Sequence, residues 1–319
     1  MKGQEVASRI QASLSESIAI AIGEEPDRLE YTVVSDADIA DGTTVVSLSR
    51  ADGTPAVAVL CSPVAFPRMV DHAMDMAARV KEKIGPVLGA RILDPLLRGK
   101  LEGASFAVLP YCHPLRDGRF MSRIQNLALC PSLFDWTFEL TRTTVSAGDD
   151  VATDDRFAKR LEHVAALEIL DAPVRNAASL ALRRLASGQW KPRHIVMHGD
   201  LWRGNVLVRP GAPLSTRAQL AERFVVIDWP GADLSGYAIF DVVRLAYSMR
   251  LTRRQLAFEI ARHCAALECA PHDACSYLLA ALGHVGMSLN CFPVEQYVKV
   301  VHLSFSALTG CITEYQDVH

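Results

Sequence analysis

No stretch of this 319-residue chain approaches the run of about 20 apolar residues that a membrane-crossing helix needs. The N-terminus lacks a secretory pattern: its apolar segment, Ile18 to Ile22, is short, late and flanked by Ser and Glu. No block of charge of one sign is present. Lys and Arg number 33 against 36 Asp and Glu, a net charge of -3, so nothing electrostatic points to nucleic acid as a partner. There are no internal repeats and no low-complexity tract. These absences lead us to expect a soluble cytoplasmic protein with no membrane insertion and no nucleic-acid partner. The eight cysteines are scattered as reduced thiols are, not set out as a disulfide framework. Cys264, Cys269, His272 and Cys275 cluster, but their spacing fits no zinc pattern, and the cysteines read as small buried apolar thiols.

Hydrophobic periodicity divides the chain. Val6, Ile10, Leu14 and Ile18 lie at i, i+4 spacing, which predicts a helix over 4–22. Segments 31–34, 43–48 and 56–60 are short and rich in β-branched residues, with Asp41-Gly42 and Asp52-Gly53 between them, and read as an antiparallel meander. A helix over 67–84 follows Pro67, with Met69, Ala73, Met76, Val80 and Ile84 as its stripe. Further strands are expected at 91–93 and 105–109. Residues 110–114, Pro-Tyr-Cys-His-Pro, read as a hinge. Beyond it, helices are expected at 133–144, 157–170 and 174–186, strands at 195–197, 206–208 and 224–227, and helices from 240 onward, broken near Pro271 and Pro293. The fold class is α+β: a small antiparallel-sheet lobe with one main helix over 1–110 and a larger, mostly helical lobe over 111–319.

The chemistry concentrates in His198-Gly-Asp-Leu-Trp-Arg-Gly-Asn205, set between two apolar runs. Asp200 and Asn205 on one tight loop can face a common point. Asp200 can orient a hydroxyl proton, and the Asn205 carbonyl suits a hard cation such as Mg²⁺. Phe224-Val-Val-Ile ends in Asp228, a second hard oxygen ligand. A metal clamp plus one residue that directs the nucleophile is what phosphoryl transfer requires. Trp202 reads as packing, Arg203 as a solvated side chain or a phosphate contact, and Asp233 as the cap of a turn.

This octapeptide resembles the catalytic loop of the aminoglycoside phosphotransferase and choline kinase superfamily, whose fold is protein-kinase-like and which includes fructosamine-kinase-like members. Val226-Ile-Asp-Trp229 and Phe240-Asp-Val-Val-Arg-Leu245 resemble its later motifs, and the motif order agrees over nearly the whole chain. The resemblance implies Asp200 as catalytic base, Asn205 and Asp228 as Mg²⁺ ligands, and His198 and Asp241 as hydrogen-bonding supports of the loop. It implies ATP or GTP as co-substrate and a small-molecule hydroxyl as acceptor; Gly42, Leu109, Tyr111, Arg50 and Arg68 are the candidate nucleotide contacts. The segment between Asn205 and Asp228 is longer than the family's, with 210–223 as a hairpin excursion.

One part of the pattern is missing. Such folds place a Lys on the third strand to hold the α- and β-phosphates. Here that strand reads Ala56-Val-Ala-Val-Leu-Cys61, so the Lys position holds Cys61 or an aliphatic neighbour. Arg50, Arg68 or, less aptly, Lys81 could substitute; the strand register could differ; or nucleotide is held weakly or not at all. Asp71 and Asp75 stand where the acid that pairs with such a Lys is expected. The alternative to a small-molecule kinase is a catalytically impaired protein with a regulatory or scaffolding role, and a third reading is nucleotidyl transfer. Over 251–319 six acids (Glu259, Glu268, Asp273, Glu295, Glu314, Asp317) face four bases (Arg253, Arg254, Arg262, Lys299), too few to line a site for a polycation. A neutral or weakly charged acceptor, such as a sugar or a polysaccharide precursor, is expected.

Overall fold

The computed structural model describes residues 3–35, 42–116, 118–146, 151–211, 221–289 and 293–316. Asp41 and most of the excursion at 210–223 lie outside them. The chain forms two units, the first made of 1–82, 89–116 and 206–230, the second of 83–88, 117–205 and 231–319. A single cut near residue 110 does not reproduce this division, because 206–230 clusters with the N-terminal unit.

The first unit begins with helix α1 (Gly3–Ile22) and strands β1 (Glu30–Ser35), β2 (Thr44–Ser49) and β3 (Pro55–Cys61). Helix α2 (Met69–Gly89) follows, interrupted where Gly85 takes a φ of 78° ahead of Pro86. Then come β4 (Leu97–Leu101) and β5 (Ala104–Pro110). These strands form one antiparallel sheet in the order β1-β2-β3-β5-β4. Strand β6 (His113–Pro114), β8 (Val206–Val208) and β9 (Phe224–Val226) make a second sheet in the order β6-β8-β9.

Two strand expectations are corrected. Residues 91–93 form no strand; Ile92 makes only an isolated bridge to Val226, and the edge beside β5 is taken by Leu97–Leu101. That segment alternates apolar and charged residues, as an edge strand does. Half of the expected hinge is also strand: His113 and Pro114 pair with Val208 and Leu207. Pro114 is tolerated there because β6 is an edge.

Alternation along the strands gives the five-stranded sheet two apolar faces. Val46, Leu48, Val57, Val59, Cys61, Phe106 and Val108 meet α1 through Val6, Ala7, Ile10, Ile18 and Ala19. Ile10 and Ile18 are fully buried, each contributing about 1.5–3 kcal/mol. On the other face, Leu60 and Leu109 pack with Met74 of α2 and with Leu93, Cys112, Leu207, Val225 and Ile227.

The second unit contains α3 (Arg119–Thr144), α4 (Val151–Ala166), α5 (Ala172–Ala186), α6 (Phe240–Met249), α7 (Arg253–Ala266), α8 (Asp273–Gly286) and α9 (Val294–Gln316). Helix α3 starts well before the expected residue 133 and runs through Pro131. Strands β7 (Ile195–Met197) and β10 (Asp233–Gly236) pair antiparallel beside these helices. The β10 strand was not expected from the sequence; Asp233 does bend the chain locally, accepting from the Ser235 N–H at 2.9 Å. The core is aromatic: Phe157 stacks edge-on against Tyr237, Trp190 and Tyr277, with ring centroids at 4.9, 5.5 and 5.8 Å. Helices α4 and α8 come close together at Gly283, where a Cβ would stand 2.1 Å from the Arg160 carbonyl oxygen.

Candidate active site

Strand β7 delivers the chain into His198, and the loop that follows is held from below by α6. Asp241, in the first turn of α6, accepts from the His198 N–H at 2.6 Å and the Gly199 N–H at 3.1 Å. The Leu201 N–H also reaches it. One buried carboxylate thus satisfies three loop donors that water cannot reach. Burial pushes its pKa up to about 6, against the lowering effect of those N–H groups and of Arg244. His198 is fully buried, and its Nδ1 lies 3.3 Å from the Asp200 N–H.

Two glycines are required by this geometry. Gly199 has a φ of +84°, and a Cβ there would lie 2.4 Å from the Gly231 carbonyl oxygen. At Gly204 a Cβ would collide at 2.4 Å with the Trp202 ring, which folds across it. Arg203 donates its N–H to the Ser248 hydroxyl on α6 at 2.9 Å, which pins the far side of the loop.

Asp200 is therefore presented at the end of a rigid loop. Its Oδ1 is paired with the Arg244 guanidinium on α6. Its Oδ2 lies 3.5 Å from the Asn205 Nδ2, and that amide also donates to the Asp200 main-chain carbonyl at 2.9 Å. Burial raises the Asp200 pKa; Arg244 and His198 work against it. Arg244 escaped the sequence reading. Its signal was its place one helical turn after Asp241, where i and i+3 share a face.

Asp228 belongs to the first unit and follows β9 with a φ of 67°. Left-handed backbone is tolerated by Asp better than by most residues and marks a position held for its direction. Its neighbour Trp229 is buried and donates its indole N–H to the Val226 carbonyl at 3.0 Å.

The two β3 residues near the expected lysine position face opposite sides of the sheet. Cys61 points to the α1 face, whereas Leu60 points to the α2 face and packs near Met74. Of the two, Leu60 is thus the β3 residue that faces α2, in the same apolar cluster as Met74. Register places Leu60 opposite Ala107, and Ala107 opposite Arg98 on β4. Arg98 shares that face roughly 10 Å away and is committed to α2, with Asp75 at 2.7 Å and Asp71 at 4.0 Å.

The other candidates are dispersed. Arg50 pairs with Glu24 at 2.6 Å, at the end of the β2–β3 hairpin opposite the Thr44–Cys61 pair, roughly 20 Å away along the strand. Lys81 is paired with Asp94. Arg68 is exposed just before α2. Gly42 is half-buried two residues ahead of β2. Leu109 is buried in the α2-side cluster, and Tyr111 lies edge-on to His113 with its N–H on the Ala56 carbonyl at 3.1 Å.

With this geometry in hand, known structures are informative. The chain is similar to the crystal structure of a putative fructosamine-3-kinase from Haemophilus somnus 129PT, with a TM-score of 0.51 and 11% identity over 94% of this chain and 97% of that one. The chain has the protein-kinase-like fold. It is also similar to the GDP complex of wild-type aminoglycoside 2'-phosphotransferase-IIIa, with a TM-score of 0.51 and 14% identity over 92% of this chain and 98% of that one. No family model and no curated protein matches the sequence. Among the described residues no helix is long and apolar enough to cross a membrane.

Proposed function

We propose that this protein transfers the γ-phosphoryl group of a nucleoside triphosphate to a hydroxyl of a small molecule. The observation that carries the reading is Asp200. It is a carboxylate at the end of a loop tied down by Asp241 and Ser248, held by Arg244 and Asn205. The acceptor hydroxyl gives its proton to Asp200 as its oxygen bonds to the γ-phosphorus, and the nucleoside diphosphate leaves with the bridging oxygen. A neighbour of the same fold is a GDP complex, which supports a nucleotide co-substrate.

Asn205 and Asp228 are the proposed Mg²⁺ ligands. Their donors are hard oxygens, and among the described residues no group of three or more His, Cys, Asp and Glu competes for a metal. Two protein donors suit Mg²⁺, which takes its remaining ligands from water and substrate phosphates. Bound there, the ion would neutralise phosphate charge. Orientation of the hydroxyl and removal of its proton fall to Asp200.

An apolar Leu60 on the α2 face of β3, where a cation is expected, favours a second reading, a kinase-like protein impaired in catalysis. Calorimetry with ATP or GTP and Mg²⁺ at millimolar concentration separates the two. The kinase reading expects saturable heat, and transfer of label from γ-labelled but not α-labelled ATP to an acceptor. Absence of both would favour the impaired protein.

The ion pair makes a pH prediction. Arg244 lowers the pKa of Asp200, and the base works in its ionised form. Removing the cation in Arg244→Met raises that pKa, so the acid limb of the kcat profile should move to higher pH, while Arg244→Lys stays near the wild type. An unmoved acid limb in Arg244→Met would remove Arg244 from this role.

A further inference from the structure

Beside the catalytic loop lies a group of basic side chains that the reaction above does not use. Helix α4 carries Arg156 and Arg160 one turn apart, facing His284 of α8 and Asp233 of β10. Arg156 pairs with Asp233 and lies over the Tyr237 ring at 5.6 Å. Arg160 has no carboxylate within ion-pair reach among the described residues. Its Nε donates to the Tyr237 hydroxyl at 3.3 Å and its Nη1 rests 2.6 Å from the Met287 sulfur. His284 Nε2 stands 4.0 Å from Asp233, and its Nδ1 is buried with no hydrogen-bond partner among the described residues. Two guanidinium charges therefore meet one carboxylate. Burial, opposed by Asp233 and reinforced by the two arginines, lowers the pKa of His284, which keeps the ring neutral.

The position matters as much as the charge. Asp233 pairs with Met197, the residue before His198, so Asp200 is three residues, or roughly 10 Å of chain at most, from Asp233's partner. Gly231, two residues before Asp233, also meets Gly199 beside Asp200, so the basic group stands next to the catalytic loop. A guanidinium without a carboxylate partner matches an oxyanion, which it can bind through two parallel N–H bonds.

We propose that Arg160, with Arg156 and His284, forms an oxyanion subsite that takes a phosphate or carboxylate group of the acceptor. This rests on the phosphotransferase reading for the word acceptor, and it replaces the expectation of a neutral substrate with an anionic one. A polycationic acceptor is disfavoured by the same charges.

The test is calorimetric titration of the full chain with glucose 6-phosphate, glucuronate, glucose and glucosamine. The two anionic sugars are expected to bind at least about tenfold more tightly than the other two. Arg160→Gln, which can still bond to the Tyr237 hydroxyl, should lose that advantage, while Arg160→Lys keeps most of it. Equal melting curves for the three proteins exclude a folding defect. If Arg160→Gln fails to fold, the same loss is expected in His284→Gln, where the neutral donor is changed in place. Glucose or glucosamine binding as tightly as the anions, or anionic sugars binding as tightly to the folded variant as to the wild type, would overturn the subsite. Binding that depends on Arg160 with no ATP consumption would leave the subsite standing and count against the phosphotransferase reading alone.

Discussion

Asp200→Asn should lower kcat by about 10²–10⁴-fold, the usual contribution of a positioned general base, and leave the fold intact. Asparagine has the same shape and keeps one acceptor oxygen for Arg244, so the loop geometry should persist. What it loses is the negative charge that takes the hydroxyl proton. The cost in stability should be small. The Asp200 side chain is about half exposed, at 49%, and solvent screens its pair with Arg244, so the loss is about 1 kcal/mol or less. The measurement is steady-state turnover beside thermal melting. Wild-type turnover in Asp200→Asn would sink the assignment of the base. A large drop in melting temperature would show that Asp200 is structural first.

Asp241→Ala should destabilise the protein by about 3–5 kcal/mol, several times the effect expected at Asp200. The carboxylate is the acceptor for the N–H groups of His198, Gly199 and Leu201, and alanine leaves all three facing a dry interior. An unsatisfied buried donor costs about 1–3 kcal/mol, and three on one loop do not add fully. Activity should fall with stability, because the same loop presents Asp200. Asp241→Asn retains one acceptor oxygen and should recover part of the loss. The wild type also carries a pH signature here. Burial holds the Asp241 pKa at about 6, above its value in the unfolded chain. The proton-linked part of its contribution to stability is therefore full below the unfolded pKa of about 4 and is lost as pH rises through about 6. Urea denaturation of wild type and variant across that window should show the slope in the wild type and its absence in Asp241→Ala. A variant as stable as the wild type would show that the three donors find other acceptors.

Leu60 and Cys61 show why the third strand was hard to read from sequence. On a strand, adjacent residues point to opposite faces, so the choice between Leu60 and Cys61 is a choice between two environments. Composition could not make it, because both residues are apolar. The α1 contacts of Cys61 and the α2 contacts of Leu60 decide it. Strand β4 was missed for a related reason: Leu-Arg-Gly-Lys-Leu has little β-propensity, and it is a strand because β5 offers it an edge. Arg244 was passed over because its partner lies 44 residues away in the chain.

By itself the sequence determined the meander of β1 to β3, the helices α1 and α2, and the octapeptide from His198 to Asn205 with Asp228 and Asp241 downstream. All of these depend on local information: periodicity, turn residues, and residue types a few positions apart. Only the tertiary structure decided that Asp200 is held by Arg244, that Leu60 faces α2 in one apolar cluster with Met74, and that Arg156, Arg160 and His284 gather around one carboxylate. Those facts depend on which distant segments pack together. Such packing depends on burial and register summed over the whole core, and no short window of sequence contains that sum.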